Sequence, residues 1–216
     1  IVIIGPEEPL VNGITDFLNE KSVKVLGPSK FAAQLEGSKA FMKNLCKKNN
    51  IPTADFGVFD EFDVALDFIQ KSKIPIVVKA DGLAAGKGVL ICNSKEEAII
   101  ETKKILNGKF KSSKKVVLEE FLEGEELSYF VLVDKNSYSF FGSAQDHKKV
   151  GEGDTGLNTG GMGAYSPAKN LTEDLDSKIK NKIIEPTLKA MKTLGYPYTG
   201  FLYAGLMIKN GEPYLI

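Results

Sequence analysis

The sequence of 216 residues carries no excess of either charge, because 28 lysine and arginine residues are balanced by 28 aspartate and glutamate residues. A chain without a basic excess lacks the field that holds nucleic acid or an anionic membrane surface. Its longest apolar runs are also far shorter than a membrane span. We therefore expect no nucleic-acid partner and no membrane partner.

Histidine and cysteine are scarce as well. The single histidine, His147, leaves a histidine-rich metal site without ligands. The two cysteines, Cys46 and Cys92, fall in a helical and a strand-like pattern. We expect both to be reduced core residues of a cytoplasmic protein.

The remaining composition, 43% hydrophobic and 26% charged, is that of a chain that buries a core. Both ends have strand patterns, "IVII" at residues 1–4 and "EPYLI" at residues 212–216. We expect the chain to be a fragment that lacks both ends of a longer protein.

Hydrophobic periodicity predicts two successive architectures. The first is α/β: a β-α-β unit with a helix over 10–20, a helix over 38–49 that Pro52 ends, and further elements in alternation. These are strands at 55–59, 76–79 and 89–92 and helices at 62–71 and 94–106, the second opened by an S-x-x-E capping box.

The second architecture is α+β, built on antiparallel strands at 116–121, 127–133 and 138–144. A long glycine-rich loop is predicted over 146–165, followed by a helix that Thr172 caps and Pro186 kinks. Asn210 and Gly211 suit the type I′ turn of a closing hairpin.

The stretch "PIVVKADGLAAGKGVLIC" at 75–92 places Lys79 at the end of an apolar strand and Lys87 after a loop of small residues. A lysine that ends a buried strand is costly unless its ammonium meets an anion. Consecutive backbone N–H groups in such a loop form an anion-binding concavity. The spacing is not that of a Walker loop, because Gly88 stands where Ser or Thr would be. A phosphate site and a tight hairpin with two solvated lysines both remain open.

The stretch "VVLEEFLEGEELS" at 116–128 places Glu119 and Glu120 in a strand pattern and Glu125 and Glu126 after a glycine. Alternation would bury some of these carboxylates unless hydrogen-bond donors lie against them. An adenine amino group and ribose hydroxyls are such donors. The alternative is an acidic, solvated hairpin.

Together, "GSKAF", the strand lysine, the glycine loop and "EEFLEGEELS" resemble the ATP-grasp superfamily. The segment "AQDHKKVGEGDTGLNTGGMGAYSP" closely resembles the substrate loop of the glycinamide ribonucleotide synthetase family, the phosphoribosylamine–glycine ligases. The stretches "GPEEPLVNGI", "QLEGSKAFMK", "KADGLAAGKGV" and "YTGFLYAGLM" are similar to that family too. The resemblance covers the whole chain.

The resemblance implies a fold in which residues 1–37 are the remnant of an N-terminal parallel α/β domain. Residues 38–216 would be a truncated ATP-grasp core, with a mobile lid subdomain at about 53–122. It implies a monomeric ligase of purine biosynthesis that uses ATP and Mg²⁺ or Mn²⁺. Glycine and 5-phosphoribosylamine would be joined through a glycyl phosphate.

The resemblance also implies the nucleotide residues. Lys39 and Lys79 would face the phosphates, the loop 82–88 would cover the triphosphate and be mobile when empty, and Glu126 would hold the ribose. Glu119 would accept from the adenine amino group, and residues 120–122 would contribute backbone groups. The full set is Lys39, Lys79, Gly82, Gly86, Lys87, Gly88, Glu119, Glu120, Phe121, Leu122 and Glu126.

No catalytic residue is assigned, because positioning and charge neutralisation suffice for this chemistry. Candidates for contact with glycine and phosphoribosylamine are Asp146, His147, Lys148, Asp154, Asn158, Thr159, Gly160, Gly161 and Met162. His147 has the alternative role of orienting the segment. No metal ligand is assigned: Gly205 stands where many relatives have a carboxylate, and the family's Glu-x-Asn would follow Ile216. Two alternatives remain, another ATP-grasp carboxylate ligase and a non-catalytic nucleotide-binding module.

Overall fold

The computed structural model describes residues 1–84, 88–110, 113–152 and 155–216. These residues form two compact units, Ile1–Lys48 with Thr53–Leu122 and Asn49–Pro52 with Glu123–Ile216. None of the helices in the described ranges has the length and apolar composition that crossing a bilayer requires.

The first unit opens with the predicted β-α-β arrangement, in which β1 (Val2–Ile3) pairs in parallel with β2 (Val25–Leu26). The single helix predicted over 10–20 is wrong, because the chain forms α1 (Glu7–Val11) and α2 (Ile14–Glu20) instead. Gly13 separates them with a φ of 93°, a left-handed conformation that a right-handed helix cannot contain. A short helix, α3 (Gln34–Gly37), follows.

A four-stranded antiparallel sheet and three helices complete the first unit. The strands lie in the order β3-β6-β4-β5, and alternate residues of β4 and β6 pack against two of the helices. Ser94 accepts a hydrogen bond from the N–H of Glu97 (3.1 Å), which confirms the predicted start of a helix there. The elements are α4 (Lys39–Lys48), β3 (Phe56–Phe59), α5 (Phe62–Lys71), β4 (Ile76–Ala80), β5 (Val89–Cys92), α6 (Lys95–Leu106) and β6 (Val116–Glu120).

The second unit is built on a five-stranded antiparallel sheet in the order β11-β10-β7-β8-β9. Its buried face includes Tyr129, Val131 and Leu206. The strands are β7 (Glu125–Val133), β8 (Tyr138–Gly151), β9 (Thr155–Tyr165), β10 (Gly200–Lys209) and β11 (Glu212–Leu215). Asn210 and Gly211 have φ values of 52° and 74°, as the predicted type I′ turn requires.

The loop predicted over 146–165 is wrong, because most of it is the hairpin of β8 and β9. The two strands pair from Gln145 opposite Tyr165 to Gly151 opposite Thr155, with register shifts on both sides of Lys149. Glycine disfavours strands because it has no side chain to pack. Pairing with β8 satisfies the backbone N–H and C=O groups of β9 that face β8 and outweighs that preference.

The helical part of the second unit runs through α7 (Glu173–Ile179), a π-helical turn (Lys180–Ile184) and α8 (Glu185–Thr193). Thr172 caps α7 as predicted, accepting from the N–H of Leu175 at 3.2 Å. Pro186 is the second residue of α8. Because proline has no N–H and its ring crowds the preceding turn, the regular hydrogen-bond pattern is interrupted just before it.

Candidate functional site

The start of α4 is fixed to the end of β4 by Asp81. Its carboxylate accepts hydrogen bonds from the hydroxyl of Ser38 (3.0 Å) and from the backbone N–H of Ala40 (3.1 Å). Lys39, the first residue of α4, donates its ammonium to the carbonyl of Gly82 at 2.8 Å. The predicted phosphate-facing Lys39 is therefore held beside the beginning of the glycine loop.

A second contact joins α4, β4 and β6 in the interior of this unit. One oxygen of Glu119, Oε2, lies 2.7 Å from the ammonium of Lys43 and 3.0 Å from that of Lys79. Lys43 also donates to the hydroxyl of Thr53 at 2.6 Å. The exposed fractions are 0% for Lys43, 8% for Lys79 and 2% for Glu119, so two ammonium groups share one carboxylate away from solvent.

The electrostatics of this cluster favour an anion. Burial, and then the charge of Lys79, lower the pKa of Lys39 from its ordinary value. Burial likewise lowers the pKa of Lys43, although Glu119 opposes that shift. The second oxygen of Glu119, Oε1, is buried and has no hydrogen-bond partner among the described residues. The site therefore has positive charge to offer an anion and one buried acceptor to offer a donor.

The glycine loop after β4 is described at its two ends. Gly82 has a φ of 86°, and the carbonyl of Gly88 accepts from the N–H of Ala80 at 2.8 Å. A Cβ at Gly88 would come within 2.6 Å of the Cβ of Ala84, so the chain is too close there for any side chain. The predicted residues Gly86 and Lys87 lie outside the described residues.

The segment after β6 carries the remaining nucleotide residues of this unit. Glu120 is exposed, its carboxylate accepts from the N–H of Asp55 (3.2 Å) and its own N–H donates to the carbonyl of Asp55 (2.9 Å). Phe121 is half-buried and Leu122 is 5% exposed. These contacts fix the backbone that the resemblance assigns to adenine.

In the second unit, the predicted ribose residue Glu126 is paired with a predicted substrate residue. The carboxylate of Glu126 on β7 contacts the ammonium of Lys148 on β8 at 2.5 Å, and Asp146 lies 3.9 Å from the same ammonium. Burial lowers the pKa of Lys148. The hydrogen bond and charge of Glu126, together with the charge of Asp146, raise this pKa by more than burial lowers it, so the net shift is upward.

Five more predicted residues lie on β9. The hydroxyl of Thr159 donates to the carbonyl of Lys148 (2.9 Å) and accepts from the N–H of Gly161 (3.0 Å). Gly161 has a φ of 123°, and Met162 is 60% exposed. The backbone of Asn158 and Gly160 belongs to β9, while the side chain of Asn158, like the whole of Asp154, lies outside the described part.

His147 is exposed on β8, and its ring lies 5.9 Å from that of Tyr165. The structure thus groups Asp146, Lys148, Thr159 and Gly161 around the register shift between His147 and Lys149. His147 neighbours them along β8.

Sequence reasoning missed Lys43 and Asp81. Lys43 follows Lys39 by one helical turn, so the two share a face of α4, and that spacing was a signal for a joint role. Asp81 follows Lys79 at the end of β4, but nothing in the sequence indicates that its partner is the start of α4.

The described side chains form no ready-made site for a divalent metal. Within the ranges that the structure describes, no group of three or more His, Cys, Asp or Glu side chains is placed to hold a metal ion. These side chains do not form a magnesium site of their own.

Comparisons with known proteins cover the whole chain. Residues 1–36 match the family model "Phosphoribosylglycinamide synthetase, N domain", and residues 37–216 match its "ATP-grasp (A) domain". A phosphoribosylamine–glycine ligase of Haemophilus influenzae is 51% identical over an alignment of 219 positions, which covers 100% of this chain and 51% of that protein. The chain thus spans about half the length of the curated relatives it matches.

Solved structures agree. The phosphoribosylamine–glycine ligase of Thermotoga maritima has a TM-score of 0.86 and 40% identity, covering 99% of this chain and 53% of that one. The biotin carboxylase domain of the Hydrogenobacter thermophilus 2-oxoglutarate carboxylase, solved with MgADP and bicarbonate, has a TM-score of 0.75 at 20% identity and covers 99% of this chain and 46% of that one. The second likeness shows the fold alone, which is ATP-grasp.

Proposed function

This chain belongs to the phosphoribosylglycinamide synthetase family, and on that premise we propose that the whole protein joins glycine to 5-phosphoribosylamine at the expense of ATP. The γ-phosphoryl group of ATP passes to the glycine carboxylate, which gives glycyl phosphate and ADP. The amine of phosphoribosylamine then attacks the carbonyl carbon, phosphate leaves, and the amine loses a proton. The products are glycinamide ribonucleotide, ADP and phosphate.

The proposal that the protein binds ATP rests on the proximity of Lys39 and Lys79. Asp81 joins the elements that carry them, because its carboxylate holds the start of α4 at the end of β4. Both ammonium groups come from rigid elements, α4 and β4. The ammonium of Lys39 contacts the carbonyl of Gly82, where the glycine loop begins, and the charge of Lys79 is close enough to lower the pKa of Lys39. Phosphoryl transfer needs positioning and neutralisation of charge more than covalent help, and preorganised lysines supply both. The proposed nucleotide residues are Lys39, Lys79, Gly82, Gly86, Lys87, Gly88, Glu119, Glu120, Phe121, Leu122 and Glu126.

The acceptor part rests on family membership and on the hairpin of β8 and β9. Its candidates offer a charged pair, Lys148 with Glu126, and a glycine-rich strand on which backbone groups are accessible. The proposed acceptor residues are Asp146, His147, Lys148, Asp154, Asn158, Thr159, Gly160, Gly161 and Met162. Positioning by such groups is enough to bring an amine onto an acyl phosphate.

Further features of the whole protein are proposals as well. Residues 1–37 would belong to an N-terminal α/β domain and residues 38–216 to the ATP-grasp core, with 53–122 as its lid; the two family models, which meet between residues 36 and 37, support that division. We propose Mg²⁺ or Mn²⁺ as the accompanying cation, a monomer, and a cytoplasmic location. Two free, buried cysteines fit a reducing compartment.

The test is ADP release by the full-length protein with Mg²⁺ and phosphoribosylamine generated in situ, with and without glycine. Strictly glycine-dependent ADP release is the expected result. ADP release that ignores glycine but needs another carboxylate would retain the nucleotide residues and reject the substrate assignment. ATP binding without ADP release under any of these conditions would leave a nucleotide-binding module.

A further inference from the structure

We propose that Lys43 is a positioning residue of the nucleotide site. By pairing with Glu119 from the interior, it leaves the charge of Lys79 available for phosphate. The inference rests on the proposed function, because it gives Lys43 a part in ATP binding.

Lys43 is placed to act through another residue and not on a ligand directly. Its side chain is 0% exposed. Its ammonium donates to Thr53 (2.6 Å) and contacts Glu119 (2.7 Å), and it lies 5.9 Å from the centre of the Phe56 ring. A group enclosed on these sides does not reach a nucleotide, so any effect on binding passes through Glu119.

Glu119 is the link to Lys79, because both lysines contact the same carboxylate oxygen. One carboxylate carries one negative charge, and the fully enclosed Lys43 compensates it. The charge of Lys79 is then left over, and Lys39 adds a second positive charge nearby. An uncompensated ammonium away from water is costly, and a bound phosphate would remove that cost.

Loss of the Lys43 charge would change the pairing of Glu119. This carboxylate would then have Lys79 as its one remaining ammonium partner in the described cluster, and the two charges would cancel. Phosphate affinity would fall although every group that faces the ligand is still present. If the carboxylate charge is removed as well, Lys79 keeps its charge free, and loss of the Lys43 charge should no longer affect phosphate affinity.

The experiment measures ATP affinity of the full-length protein by isothermal titration calorimetry, with thermal unfolding of each variant alongside. Lys43→Met is expected to weaken ATP binding at least tenfold. In the Glu119→Gln background, the addition of Lys43→Met is expected to change ATP affinity less than threefold relative to Glu119→Gln alone, because Lys43 has no carboxylate to neutralise there. Thr53→Val, which removes the neighbouring hydroxyl but keeps both charges, is the matched control and should change affinity less than twofold.

Two results would overturn the inference. One is parental ATP affinity in folded Lys43→Met, and the other is a further tenfold loss when Lys43→Met is added to Glu119→Gln. If Lys43→Met alone fails to fold, the decisive comparison is between Glu119→Gln and the double variant Lys43→Met, Glu119→Gln, because Lys43 has no carboxylate to neutralise once Glu119 is replaced. A further change under threefold on adding Lys43→Met supports the inference, and a tenfold loss contradicts it.

The parent protein separates this inference from the proposed function. If the parent binds ATP but uses a carboxylate other than glycine, the role of Lys43 stands and the substrate assignment falls. If the parent binds no ATP, both fall.

Discussion

The carboxylate of Asp81 accepts a hydrogen bond from the hydroxyl of Ser38, with 3.0 Å between the two oxygens. Asp81 directly follows β4 and Ser38 directly precedes α4, so the bond ties together two elements that are distant in sequence. The same carboxylate caps the first turn of α4, where a negative charge is favourable. The backbone of Lys39, the first residue of α4, is therefore held in place at the end of β4.

Asp81→Ala is predicted to lower both stability and ATP affinity. Loss of a helix cap costs roughly 0.5–2 kcal/mol in free energy of unfolding. ATP affinity should fall as well, because the backbone of Lys39 is no longer held at the end of β4. Urea unfolding and ATP titration measure the two effects. Asp81→Asn, which keeps one oxygen acceptor, is the control and should retain most of both. An unchanged urea midpoint for Asp81→Ala would contradict the capping role.

Lys79→Ala is predicted to weaken ATP binding by roughly tenfold to a hundredfold, since a hydrogen bond to a charged group is worth about 1.5–3 kcal/mol. Lys104→Ala is the matched control, because that lysine pairs with Glu101 on the exposed side of α6. Calorimetric titration with ATP gives both affinities. Equal affinities in the two variants would remove Lys79 from the nucleotide site.

Gly161→Ala is predicted to impair glycine-dependent ADP release while ATP binding is kept. Gly161 has a φ of 123°, which a residue with a Cβ rarely adopts, so the substitution distorts β9. Gly163→Ala is the control, because Gly163 also faces open space but has no positive φ. Asn158→Ala should resemble Gly161→Ala if the hairpin serves the acceptor. Loss of ATP binding in both would assign the hairpin a different task.

Tyr129→Phe is predicted to lower the free energy of unfolding by about 1 kcal/mol. The buried hydroxyl of Tyr129 donates to Asp176 at 2.6 Å, and burial followed by that carboxylate raises its pKa well above the ordinary range. Tyr138→Phe removes a more exposed hydroxyl bonded to Glu185 and should cost less. Urea denaturation compares the two. A larger loss for Tyr138→Phe would refute the ranking.

Alkaline pH is predicted to destabilise the protein through its thiols. Burial raises the pKa of Cys46 and of Cys92 to about 11 from an ordinary value of 9.0. A folded pKa above the unfolded one gives stability that is complete below pH 9 and is lost as the pH rises towards 11. The loss is about 3 kcal/mol per thiol.

Urea midpoints between pH 7 and pH 11 test the thiol prediction, with Cys46→Ala and Cys92→Ala as comparison. Each variant should be less sensitive to pH than the parent protein over pH 9–11. Equal pH dependence in parent and variants would assign the alkaline loss to other groups.

Periodicity predicted the elements whose signals are local. The helix over 62–71 and the strand over 89–92 have the predicted bounds, because each carries a clear apolar pattern between breakers. The capping box at Ser94 and the turn at Asn210 are equally local, and both were confirmed.

The errors and omissions have a common physical cause in long-range pairing. The glycines of 146–165 predicted a loop because strand propensity describes single residues and does not include the hydrogen bonds between β8 and β9. The partnership of Lys43 with Glu119 likewise depends on how α4 packs against β6. Residue types identified the lysines and carboxylates as candidates for the site, but contacts between elements distant in sequence determine which of them pair.

The edge position of β9 has a consequence for how recognition there can evolve. In the described five-stranded sheet, β9 pairs with β8 and has no strand on its other side. A glycine-rich edge offers amide hydrogens and carbonyl oxygens, which every residue type except proline possesses in full. Specificity built on such an edge is encoded in chain conformation. Replacement of single backbone amides of β9 by esters should therefore weaken binding of the acceptor substrate more than truncation of β9 side chains does.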